Sequence, residues 1–131
     1  MITLNHGSKG IVPWTEDQLM PDALKASASV LGGALSTIAS VIFADGVIFK
    51  AISTSTSTGV DIAQWTVGKQ TLILGGNMGN ASVSKSFGTF GSGATVKTIL
   101  SLGGTVSISS SGVVTITFDA LGSVGLVVTG A

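Results

Sequence analysis

The stretch GGTVSISSSGVVTITFD, residues 103–119, decides the fold class. Val106 and Ile108 fall on one face of an extended chain. Val114, Ile116 and Phe118 fall on one face of the next run, with Thr115 and Thr117 opposite. Such alternation marks a half-buried strand, because successive side chains leave a strand on opposite sides. Between the runs, Ser109 to Gly112 is turn chemistry, and Gly112 stands where a hairpin favours a left-handed residue. Upstream, Ala94, Val96, Thr98, Leu100 and Leu102 share a face, and Gly103-Gly104 reads as a turn. Downstream, Asp119 to Gly122 reads as another turn before a last strand carrying Val124, Leu126 and Val128. The last third is therefore expected to be a four-strand meander. Short strands joined by short turns predict a mainly β fold, a single antiparallel β-sandwich or barrel-like domain.

Further upstream, Val60, Ile62, Trp65, Val67, Leu72 and Leu74 surround Gly68-Lys69, a predicted turn, and Trp65 is expected in the core. Residues 41–49 read VIF-ADG-VIF. Asp-Gly between β-branched runs is a strong hairpin signal, so a hairpin is expected at Asp45-Gly46. Alternating Ser and Thr over residues 53–58 fit a strand with hydroxyls on both faces, or a polar loop. Residues 75–93 are rich in Gly, Ser and Asn and predict a long loop or a strand pair with glycine bends. Phe87 and Phe90 flank Gly88-Thr89 and are expected to dock that loop on the core or on a partner.

Residues 26–44 carry no charge. Leu24, Ala28, Leu31, Leu35, Ile38 and Ile42 fall at helical spacing, while Ser36, Ile38, Ser40 and Ile42 also alternate. Gly32 and Gly33 each cost a helix about 1 kcal/mol against Ala. These glycines tip the expectation toward a strand or a broken helix. The stretch barely reaches membrane-spanning length and is rich in hydroxyls, which argues against a membrane span.

Residues 1–22 hold both prolines, Pro13 and Pro21, and read as an extended N-terminal arm; residues 23–131 form the β-rich domain. Each proline disfavours helix for the residue before it. A short turn near Thr15–Leu19, capped by Thr15, fits the pattern. The arm either folds back on its own domain or lies on a neighbour. In the second case Pro13, Trp14, Leu19 and Met20 are the candidate interface residues, joined by Phe87 and Phe90. The first residues lack the charged-then-apolar build of a secretory signal.

The composition narrows the function classes. Charged residues make up 9% of the 131 residues, and six Lys balance five Asp and one Glu. An ordinary domain carries roughly 25%. A surface so poor in charge, at zero net charge, favours association over hydration. There is no Arg, no basic cluster and no Cys, which argues against nucleic-acid binding, a disulfide framework or a thiolate metal site. His6 is the only imidazole and lies in the arm, without a partner at fixed spacing. The carboxylates Glu16, Asp17, Asp22, Asp45, Asp61 and Asp119 form no pair or cluster of catalytic or metal-ligating spacing, and Asp45 and Asp119 fit turn roles. GGNMGN at residues 75–80 lacks the order and helical context of a phosphate loop. No catalytic residue, metal ligand or cofactor is assigned.

With PWTEDQLMPD (13–22) as arm and GGTVSISSSGVVTITFD (103–119) as hairpin, the chain resembles accessory virion proteins of tailed bacteriophages, of the capsid decoration (cement) or head-fibre type. The resemblance implies a non-enzymatic β-domain, often trimeric, that clamps capsid subunits at their joints. The partners would be further copies of the chain and a major capsid or other virion protein, and assembly would occur in the host cytoplasm. A tail, fibre or pilus-like filament subunit is the alternative. A carbohydrate-binding β-sandwich is a third reading, weakened by 5% aromatics and the absence of Tyr.

Overall fold

The computed structural model describes residues 22–54 and 59–130 of the chain. Helix α1 (Asp22–Ile42) is followed by six strands: β1 (Ile48–Ser53), β2 (Val60–Val67), β3 (Gln70–Asn77), β4 (Val83–Phe87), β5 (Thr95–Ile108) and β6 (Val114–Thr129). All pairings are antiparallel: β1 with β2, β2 with β3, β3 with β6, β4 with β6 and β5 with β6. The fold is mainly β, and its curled antiparallel sheet forms a half-barrel. Residues 1–21, which hold nearly all of the expected arm, lie outside the described residues, as do residues 55–58 of the Ser/Thr run.

Strand β6 organises the sheet. On one side it pairs along its length with β5; on the other its first half pairs with β4 and its second half with β3. The four-strand meander expected from Gly103-Gly104 and Asp119–Gly122 is instead one long hairpin. Both strands bulge at the same level. The pairing steps from Leu102↔Ser123 to Gly104↔Phe118, leaving Gly103 opposite residues 119–122. Gly103 (φ +85°) and Leu121 (φ +57°) take the left-handed turns that permit this. A Cβ on Gly122 would strike the carbonyl oxygen of Gly103, so only glycine lets the two strands cross so closely. Bulges bend a strand and sharpen its twist, and this one curls the ribbon into a half-barrel.

Two apolar clusters lie on opposite faces. One joins Ala34, Ile38, Val41 and Ile42 of α1 to Ala63, Trp65, Leu72, Leu74, Leu100 and Val127 of the sheet. The other fills the curl with Val60, Ile62, Ile73, Val114, Ile116, Phe118, Val124, Leu126 and Val128. A sheet buried on both faces explains the near-continuous burial of β3.

The expected strand or broken helix at residues 26–44 is corrected to a continuous α1 of 21 residues. Burial of Ala34, Ile38, Val41 and Ile42 on the sheet supplies roughly 1.5–3 kcal/mol for each large side chain. That outweighs two glycine penalties of about 1 kcal/mol. The hairpin expected at Asp45-Gly46 is a helix-to-strand turn. The first VIF ends the helical segment, the second enters β1, and Gly46 sits at φ +74° with the Val47 amide donating to the Ala44 carbonyl, 3.3 Å away. The Gly68-Lys69 turn is found between β2 and β3, with Gly68 at φ +56°. The Ser109–Gly112 turn is also found, with Gly112 at φ +82°.

Candidate assembly surfaces

The sheet leaves three strand edges without a strand partner among the described residues: those of β1, β4 and β5. An open edge presents unpaired amides and carbonyls that another strand can use. The edges differ. β1 has six residues, a register break between Ala51 and Ser53, and Lys50. β4 has five residues, and Lys85 pairs with Ile116, so its side chain shares the face of the inner core residues. Short length, irregularity and an inward-facing charge are the devices that blunt edges. β5 has fourteen residues and one charge, Lys97.

Outside the curl lies a face of hydroxyls. Ser84 of β4 pairs with Thr117 of β6, which pairs with Thr105 of β5; Ser86, Thr115 and Ser107 make the next row. The Ser84 and Thr117 hydroxyls are 2.8 Å apart, and those of Ser86 and Thr115 are 2.7 Å apart. The alternation of residues 114–118 showed Thr115 and Thr117 on this side. The strand neighbours that complete the rows become visible only with the pairing of β4.

Several large apolar side chains stand in solvent. Phe43 is 60% exposed, Ile48 67%, Phe49 43% and Leu121 68%. Phe43, Ile48 and Phe49 flank the turn from α1 to β1, and Phe49 rests on Trp65 with ring centroids 5.3 Å apart. Trp65 itself is buried, as expected. Sequence reading missed this group because VIF-ADG-VIF read as a β-hairpin around Asp45-Gly46.

Of the candidate interface residues, Pro13, Trp14, Leu19 and Met20 lie outside the described residues, as does His6. Phe87 and Phe90 are half-buried against the inner core. Phe87 ends β4 opposite Val114, and the Phe90 amide donates to the Gly112 carbonyl at 2.9 Å. A Cβ on Gly88 would lie 2.5 Å from the Phe90 ring, so the ring closes over its own loop. The core is thus what these two rings dock against within the chain.

The described carboxylates do not converge. Asp45 and Asp119 are exposed at the turn and the bulge, and Asp61 is fully buried at the start of β2 on the face of Ala63 and Trp65. Among the described residues no group of three His, Cys, Asp or Glu could hold a metal ion. No described helix is long and apolar enough to cross a membrane. Within residues 75–80, Gly75 has a packing role: a Cβ there would lie 2.6 Å from the Phe118 ring. No protein-family model, curated protein or solved structure matches the chain.

Proposed function

We propose that the chain is a non-enzymatic structural protein of a virion, one that decorates or cements a capsid lattice by associating with copies of itself and with a shell protein. The observation that carries this reading is the exposure of Phe43, Ile48, Phe49 and Leu121 on a chain with only six Lys and six Asp or Glu residues. Exposed apolar groups rimmed by little charge gain most from being covered by another protein surface. Repetition across a lattice turns weak contacts into firm attachment through effective concentration. Residues 1–22, read as an arm, would supply a further contact.

A tail, fibre or pilus-like filament subunit is the second reading, favoured by the long open edge of β5, which suits strand sharing between protomers. Sedimentation velocity and negative-stain electron microscopy of the full chain test both. Closed oligomers or shell-bound particles support the first reading, and filaments the second. A monodisperse monomer at high protein concentration overturns both.

A further inference from the structure

We infer that the edge of β5 at Gly104–Ile108 is an interface for a second copy of this chain, joined by antiparallel pairing of the two β5 edges about a two-fold axis at Val106. The inference deepens the assembly reading and rests on it.

The argument begins with one row of the sheet. Lys85 of β4, Ile116 of β6 and Val106 of β5 are directly paired neighbours and share the inner face. At the β4 end of the row the edge residue is a lysine, whose charge resists the approach of another sheet. At the β5 end it is a valine. The neighbouring inner-facing Ile108 is also apolar, and both are half-buried, packed on the inner core from one side. Among the described residues the half-barrel is therefore blunted against strand addition at β4 and open to it at β5.

The occupant follows from the symmetry of the segment. Gly104-Thr105-Val106-Ser107-Ile108 has no charge, so pairing with its own copy brings no like charges together. About a two-fold axis at Val106, Val106 faces the second copy's identical valine, and Thr105 faces its serine at position 107. Valine pairs and Thr–Ser pairs are favourable cross-strand neighbours. A two-fold contact uses one patch twice, so self-complementarity of this kind closes it as a pair. The inner apolar row would continue across the axis, and so would the outer hydroxyl rows.

The test copies the chain's own blunting device onto the open edge. Sedimentation velocity compares the full-length wild type with Val106→Lys, whose folding is checked by circular dichroism. The expected result is a wild-type species of two or more copies and loss of the β5 contact in V106K, with a shift to half the mass or less. If the wild type associates and folded V106K associates equally, the edge inference fails while the assembly reading stands. If the wild type is a monomer, both fail. A second measurement does not depend on V106K folding. Because the chain has no cysteine, Thr105→Cys and Ser107→Cys on the exposed face report only engineered thiols. Oxidising a mixture of the two variants should give a disulfide-linked dimer that neither gives alone. Absence of that dimer from the mixture overturns the inference.

Discussion

Asn77 shows how single side chains hold the bend of the half-barrel. It is buried at the end of β3, and its amide nitrogen donates to the carbonyls of Ala81 (2.7 Å) and Asp119 (2.9 Å). Its amide oxygen accepts from the Gly79 backbone at 2.9 Å. One side chain thus ties β3, the loop to β4 and the bulge of β6. Asn77→Ala strands these groups and should lower the unfolding free energy by about 2–3 kcal/mol. Asn77→Asp keeps the shape but turns an oxygen toward two carbonyl oxygens, and should cost more than alanine; urea denaturation ranks the two. Gly75 has a different role, giving room to the Phe118 ring. Gly75→Ala should cost about 1–3 kcal/mol through overpacking. Shortening the ring with Phe118→Leu should recover part of that cost, which a double-mutant cycle measures as a coupling between the two sites. Leu121 bears the one described non-glycine positive φ, +57°. A left-handed residue of this kind costs roughly 1–2 kcal/mol, so the chain keeps an exposed leucine there at the expense of its own stability.

The elements differ in how far the sequence disclosed them, and helix α1 is the instructive case. A Cβ added at Gly32 or Gly33 meets nothing within 4 Å. Gly32→Ala and Gly33→Ala should therefore each raise stability by about 0.5–1 kcal/mol, read as an increase in thermal midpoint. Neither glycine is required by the packing of the described chain, yet local propensity at these positions pointed away from the helix that forms. What forms it is the burial of Ile38, Val41 and Ile42 on the sheet, a tertiary effect invisible to a short window. The strands were legible wherever alternation coincided with turn chemistry, as around Gly68-Lys69 and Ser109–Gly112. They were misjudged where glycines bend a strand without ending it, because Gly103-Gly104 has the same composition as a turn. Only the pairing of β5 with β6 separates the two. The same holds for the candidate surfaces. The sequence left Phe87 and Phe90 to dock on the core or on a partner, and the structure places both half-buried against the inner core. The contrast between Lys85 and Val106 depends on which residues share a row, and the sequence does not state that.

For the whole molecule, the balance between hydration and contact is set by scarce charge. Six lysines and six carboxylates serve 131 residues at zero net charge. Long-range repulsion between copies is therefore weak, and few ion pairs are available to attract them. The proposed association would then come from apolar groups such as Phe43, Ile48 and Phe49 and from the strand edges left open among the described residues. These forces respond to salt differently from charge. The Debye length falls from about 10 Å at 0.1 M to about 3 Å at 1 M, which weakens contacts built on exposed ion pairs. Apolar contacts are instead strengthened by excluded salts such as sulfate. If the chain assembles as proposed, it should keep its sedimentation profile as sodium chloride rises over this range, and grow larger in ammonium sulfate. Ile48→Lys tests the source of that behaviour. Ile48 is 67% exposed on the edge strand β1, so a lysine there removes apolar surface and adds charge while leaving the core intact. The variant should associate less, and at a dilution where both chains are monomeric it should unfold at the same urea concentration as the wild type. Dissociation of the wild type by sodium chloride would show that the few charged side chains, and not the uncharged surface, hold the copies together.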